Sequence, residues 1–161
     1  METELRRRRI ELITLGGGII AFGVWSVLKT FLYVWVDSGS LTEQAPEESK
    51  TAVMVLSIVI IAIVVLIDLA LRCYIGLSAR AEGIGQDKGR AYIVLAAVML
   101  VLGILSWIPM LINFGGQDQA EKRPLLDFLI SLVVDATSLT LMGKLLYNAV
   151  KVKKLRRQLE G

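Results

Sequence analysis

The side chains best placed to carry chemistry in this sequence are four charges set inside long apolar blocks: Lys29, Asp68, Asp127 and Asp135. Ionisable groups are costly in such surroundings and face either a partner or a water-accessible interior. Two chemistries follow. A lysine bridging carboxylates can form a structural ion pair that fixes helix register. Alternatively, carboxylates along a groove can hand on protons or cations. Ser26, Ser57, Ser106, Asn113, Ser131 and Ser138 are the polar side chains that would line such a groove. Asp127 and Asp135 are eight residues apart. That separation is about 12 Å along a helix axis, too far to share a proton.

Other reactive groups are scarce. The chain has no histidine, which removes imidazole acid–base catalysis and histidine-ligated metals. Its single cysteine, Cys73, has no partner for an internal disulfide or a CxxC redox pair, and reads as a small apolar filler. Haem or iron–sulfur ligation has no donor set to build on. No enzyme activity, no cofactor and no metal site are therefore expected.

The blocks that must position these charges are long. Of the 161 residues, 55% are hydrophobic, with a mean hydropathy of +0.63. They gather in segments 10–36, 51–72, 91–113 and 125–149. About 20 helical residues cross the hydrocarbon of a bilayer. Backbone amides in lipid have no water to bond, so each block is expected to be helical. The connecting stretches are too short for a separate soluble domain. The expected fold is an all-α integral membrane four-helix bundle, antiparallel and up-down, forming a single membrane domain over residues 1–161 with a basic tail at 150–161.

Basic residues set the orientation. Fourteen Lys and Arg fall on one side of the four blocks: Arg6–Arg9, Arg72, Arg80, Lys88, Arg90, Lys144, Lys151, Lys153, Lys154, Arg156 and Arg157. Only Lys50, Lys122 and Arg123 fall on the other, and Lys29 is internal. Cytoplasmic segments are enriched in Lys and Arg, so both termini are expected in the cytoplasm of a plasma (inner) membrane protein. This asymmetry accounts for the +3 charge and pI near 9.1, and no nucleic-acid partner is implied. The first apolar block is too long for a signal-peptide core and lacks a cleavage site, so it reads as a retained helix. Anionic lipid headgroups are the expected partners of Arg6, Arg7, Arg8, Arg9 and the C-terminal tail.

The connections are glycine-rich or proline-marked. Gly76 to Gly89 carries four glycines among polar residues and reads as a flexible cytoplasmic loop. It lacks GxxxxGK[ST], so it is not a phosphate-binding loop. Pro124 is placed to start the fourth helix, and Pro109 to kink or end the third. Beyond Val150, Val152, Leu155 and Leu159 keep helical spacing, which extends the fourth helix as a basic amphipathic tail.

At 100° per residue, polar and small residues align on one face of each helix. The first helix aligns Glu11, Gly18, Phe22, Ser26, Lys29 and Tyr33; the second, Met54, Ser57, Ile61, Asp68 and Arg72. The third aligns Tyr92, Ala96, Met99, Gly103, Ser106, Met110 and Asn113; the fourth, Asp127, Ser131, Asp135 and Ser138. Lys29 and Asp135 lie at about 10 and about 15 Å below the outer ends of their helices, within reach if those helices are neighbours. Asp68 precedes Arg72 by four residues, a favourable pairing order. Lys144 falls elsewhere, with Thr137, Thr140 and Asn148, and is free to snorkel. Gly16–Gly18 would allow close helix approach, and Trp25, Trp35, Trp107 and Tyr33 suit an interfacial aromatic belt.

Two function classes fit. One is a homo-oligomeric transporter or channel module for a cation or small solute, built around the intramembrane charges. The other is a non-catalytic accessory or scaffold subunit, held together by polar stripes and presenting a basic tail.

Overall fold

The computed structural model describes residues 2–36, 50–114 and 125–160, without the side chains of 33, 36, 109–114, 125–131, 159 and 160. Four helices make up nearly all of it: α1 (Glu2–Val36), α2 (Lys50–Ile84), α3 (Ala91–Phe114) and α4 (Leu125–Glu160). No strand occurs among the described residues. Within those residues three helices are long and apolar enough to cross a membrane, over Glu2–Leu32, Lys50–Ile84 and Ala91–Ile108. Large aliphatic side chains stand exposed along α2, among them Val55, Leu56, Val59, Ile60, Ile63, Val64, Leu66 and Ile67. A water-soluble protein rarely carries so long an exposed apolar band, whereas lipid is its natural cover.

Helices α2 and α4 are longer than the hydrocarbon of a bilayer is thick. α2 has 35 residues and α4 has 36. At 1.5 Å per residue each is over 50 Å long, roughly, against about 30 Å of hydrocarbon. The surplus corrects one expectation. Gly76–Ile84 is not a loop but the last turns of α2, and the connection to α3 shrinks to 85–90. Glycine spacing explains why. Gly76 and Gly83 lie seven residues apart on one buried α2 face with Ile75 and Ala79. A Cβ on Gly83 would stand 2.6 Å from Ile13 Cγ1 and 2.8 Å from the Arg9 carbonyl oxygen. These glycines are there for backbone approach, as small residues permit between packed helices.

The true end of α2 is Gly85, whose φ of 107° suits a residue without Cβ. The Gly85 amide donates to the Glu82 carbonyl and the Gln86 amide to the Ala81 carbonyl, both at 3.0 Å, closing the helix in a Schellman arrangement. α3 then begins with the Ile93 and Val94 amides donating to the Arg90 carbonyl at 3.0 and 3.1 Å.

Two compact units divide the chain: Met1–Ile19 with Ile75–Gly161, and Ile20–Tyr74. The first holds the buried apolar core. Leu12, Ile19, Ile75, Ala79, Tyr92, Ala96, Met142, Leu145, Ala149 and Val152 form one cluster drawn from all four helices. Here the start of α1 meets the end of α2 at Gly16, where an added Cβ would lie 2.5 Å from the Gly76 carbonyl oxygen. α4 is continuous through the tail, and Val152 and Leu155 are buried as their spacing implied; Leu159 lies outside the described side chains. In the second unit, the Gly23 position of α1 lies against Leu69 and Arg72 of α2, with a Cβ there 3.2–3.3 Å from them. Phe31 and Trp35 meet edge to face at 6.0 Å, and Trp25 and Trp35 are exposed, as an interfacial belt requires.

The glycine contact makes a sharp test. Gly16→Ala must push its methyl into the Gly76 carbonyl and Arg80 Cγ, the latter 2.9 Å away. Overpacking of this kind costs about 1–3 kcal/mol. Nothing lies within 4 Å of a Cβ at Gly17, so Gly17→Ala should instead stabilise the helix by about 0.5–1 kcal/mol. Denaturation in detergent micelles should give shifts of opposite sign; equal shifts would mean that α1 and α2 do not touch at Gly16.

Candidate functional site

Asp68 is accounted for locally. Arg72 Nε donates to Asp68 Oδ2 at 2.8 Å, both side chains being partly buried. Met54, Ser57 and Ile61 share the less exposed face of α2 with this pair, between neighbours at 55, 56, 59 and 60 that are exposed. Four-residue spacing in the order acid then base lets the two charges meet over one helical turn.

The other residues expected inside the membrane fall in both compact units. Lys29 is exposed and belongs to the Ile20–Tyr74 unit, while Asp135, partly buried, belongs to the other. Asp127, Asn113 and Ser131 lie outside the described side chains. Ser26 is partly buried and its carbonyl accepts the Thr30 hydroxyl at 3.0 Å. Ser106 is exposed, its hydroxyl donating to the Gly103 carbonyl at 2.7 Å. Asp135 and Ser138 sit two turns above Met142 and Leu145 on the same side of α4, so the buried apolar face of the helix continues outward as a polar one.

A richer polar arrangement lies where the helices outrun the apolar stretches. Glu82 of α2 is 1% exposed. Tyr92 of α3 donates its hydroxyl to Glu82 Oε2. Lys153 of α4 stands 3.8 Å from the same oxygen, lies over the Tyr92 ring at 5.8 Å and donates to the Lys88 carbonyl at 2.5 Å. Glu82 Oε1 is buried with no hydrogen-bond partner among the described residues. Three elements thus converge on one carboxylate, which gives the layer a polar centre beneath an apolar core.

Two further clusters tie α1 and the connection to α4. Arg8 donates to Asn148 Oδ1 at 2.8 Å and to Glu11 at 3.3 Å, and lies 5.3 Å from the Tyr147 ring centroid. Arg7 also reaches Glu11, at 3.2 Å. Lys151 pairs with Glu4 at 2.9 Å, and that hydrogen bond with its opposite charge holds the ammonium above the usual lysine range. Arg156 donates to the Gly85 carbonyl at 2.9 Å and pairs with Asp87 at 3.1 Å, clamping the turn that ends α2. Thr137, Thr140 and Lys144 are exposed, but Asn148 on the same face is buried, because Arg8 reaches across to it.

The sequence-based reading missed Glu82 because its glycine-rich surroundings read as loop. A signal was present: Ile75, Ala79 and Glu82 follow helical spacing, so the helix could be extended across the glycines. Chemically, the layer can hold charges and helix ends in register. No group of three or more potential metal-ligating His, Cys, Asp or Glu occurs among the described residues. Cys73 is half-buried in α2.

A double-mutant cycle probes the buried carboxylate. Tyr92→Phe removes the hydroxyl donor and should cost about 1–3 kcal/mol, the penalty for a buried acceptor left without its bond. Tyr92→Phe with Glu82→Leu removes both polar partners and should be more stable than the sum of the single changes, by at least about 0.5 kcal/mol. Strict additivity in thermal unfolding would show that the two side chains do not depend on each other.

No family model matches this chain, and neither a curated protein nor a solved structure matches it.

Proposed function

We propose that this chain is a multi-pass plasma (inner) membrane protein with four transmembrane helices in an antiparallel up-down bundle, both termini cytoplasmic. In this reading it acts as a non-catalytic accessory or scaffold subunit. One observation carries the reading: polar contacts beyond the apolar stretches join the helices and the connection, with ion pairs Glu4–Lys151, Glu82–Lys153 and Asp87–Arg156 and the Arg8–Asn148 hydrogen bond. A layer so cross-braced is suited to presenting a rigid surface. An ion path needs a carboxylate that exchanges with water, whereas Asp68 is held by Arg72. The concentration of Lys and Arg at the start of α1, before α3 and at the end of α4 supports a cytoplasmic position for that layer.

The sidedness has a direct test. On a Cys73→Ala background, cysteines at Ser40 and Gln119 should react with an impermeant thiol reagent added outside intact cells, and cysteines at Gln86 and Gln158 should not. Labelling of Gln86 from outside would reverse the orientation.

A second reading, a homo-oligomeric transporter or channel, is favoured by Asp135 and Ser138 continuing the buried face of α4. The two readings part in liposomes containing the purified protein. The scaffold reading expects no proton or cation flux under an imposed gradient, with Asp135→Asn folded and inert. Flux that Asp135→Asn abolishes, together with a defined oligomer in mild detergent, would establish transport instead.

A further inference from the structure

Between the start of α3 and the end of α4 runs a groove of about 460 Å³ whose lining changes character along its length. Ile93, Val94 and Val150 form its apolar stretch; Arg90, Lys154 and Arg157 stand at its basic end. All belong to the Met1–Ile19, Ile75–Gly161 unit. Val94 falls within the membrane-compatible stretch of α3, and Arg90 immediately precedes that stretch. On α4, Lys154 and Arg157 follow Val150 by one and two turns. The passage from aliphatic to cationic therefore runs along the helix axes, in the direction in which a bilayer passes from hydrocarbon to headgroup.

The state of these cations is the second observation. Several cations of the layer have partners in the chain: Arg7 and Arg8 on Glu11, Lys151 on Glu4, Lys153 on Glu82, Arg156 on Asp87. Arg90, Lys154 and Arg157 are exposed, and their side chains make no hydrogen bond or ion pair among the described residues. No carboxylate lines the groove among the described residues. Three uncompensated cations around one end of an apolar channel call for an anion attached to something apolar.

We infer that this groove is a binding site for one anionic phospholipid, its phosphate held by Arg90, Lys154 and Arg157 and an acyl chain lying against Val94 and Val150. Basic pockets between helices at the membrane surface bind anionic headgroups, and guanidinium groups suit phosphate because their donors match its oxygens. Lys153, also at the groove, is occupied by Glu82 and serves to hold α4 in place. The site needs the membrane setting only, and stands equally under the scaffold and the transport readings.

The test uses the full chain, delipidated in mild detergent and titrated with dioleoylphosphatidylglycerol or dioleoylphosphatidylcholine, followed by native mass spectrometry and thermal unfolding. Wild type should retain one phosphatidylglycerol per protomer and gain thermal stability from it. Phosphatidylcholine should do neither at the same concentration. Each cation near an anionic membrane surface is worth about fivefold in affinity, so Arg90→Gln/Lys154→Gln/Arg157→Gln should bind phosphatidylglycerol about a hundredfold more weakly. The triple variant should keep the unfolding temperature of lipid-free wild type, since those side chains make no hydrogen bond or ion pair among the described residues. Val94→Asn should lose the lipid while leaving the cations in place. Arg6→Gln/Arg7→Gln, which changes charge by two outside the groove, should bind as wild type does. Equal retention of both lipids, unchanged binding by the triple variant, or competition by millimolar inorganic phosphate or glycerol phosphate as effective as by lipid would each overturn the assignment.

Discussion

A helix of 35 residues is about 52 Å long, and a bilayer's hydrocarbon accepts only about 30 Å of it. That mismatch governs the rest of the molecule. Inside hydrocarbon the helices close their own backbone hydrogen bonds, and lipid covers side chains such as Ile60 and Val64. The turns in excess have water beside them, so association there can draw on the hydrophobic effect, which lipid does not supply. The buried apolar cluster accordingly comes from the start of α1, the end of α2, the start of α3 and the end of α4.

Packing at that end also sets the polar chemistry. Gly16, Gly76 and Gly83 let two backbones approach so closely that α2 continues to Ile84 rather than breaking at Gly76. Only because α2 continues does Glu82 face inward, and only because it faces inward does it take Tyr92 and Lys153 as partners. A carboxylate in that position is expensive to bury, and truncating a partner is expected to cost more than the pair contributes net. Its most defensible role is specification: it ties the registers of α2, α3 and α4 to one point.

How much of this was legible in the sequence differs by element, for physical reasons. The apolar blocks were legible because hydrocarbon imposes length and composition on each helix separately. The Asp68–Arg72 pair was legible because it lies within one helix, where four-residue spacing alone brings side chains together. The buried continuation of α4 through Val152 and Leu155 followed from period. The Gly76–Gly89 stretch was misread because glycine marks both turns and close helix contacts, and the choice depends on what lies opposite, here Gly16, Ile13 and Arg9. Asn148 shares a helical face with the exposed Thr137, Thr140 and Lys144 yet is buried, because period says nothing of Arg8, 140 residues earlier, reaching it. Long-range polar contacts of this kind carry no local signature.

The same distinction separates two uses of the positive charge. Orientation by the positive-inside rule counts Lys and Arg regardless of what they touch. Stability counts contacts, and Arg8, Lys151, Lys153 and Arg156 spend their charge on groups of the chain itself. A cation so engaged still orients the helix but is less available to lipid, because its carboxylate partner offsets the field seen from the headgroups. Arg90, Lys154 and Arg157 lack that offset and stand together beside Val94 and Val150. The basic tail is therefore not uniform: Lys151, Lys153 and Arg156 brace the protein from within, while Lys154 and Arg157 stand exposed beside Arg90.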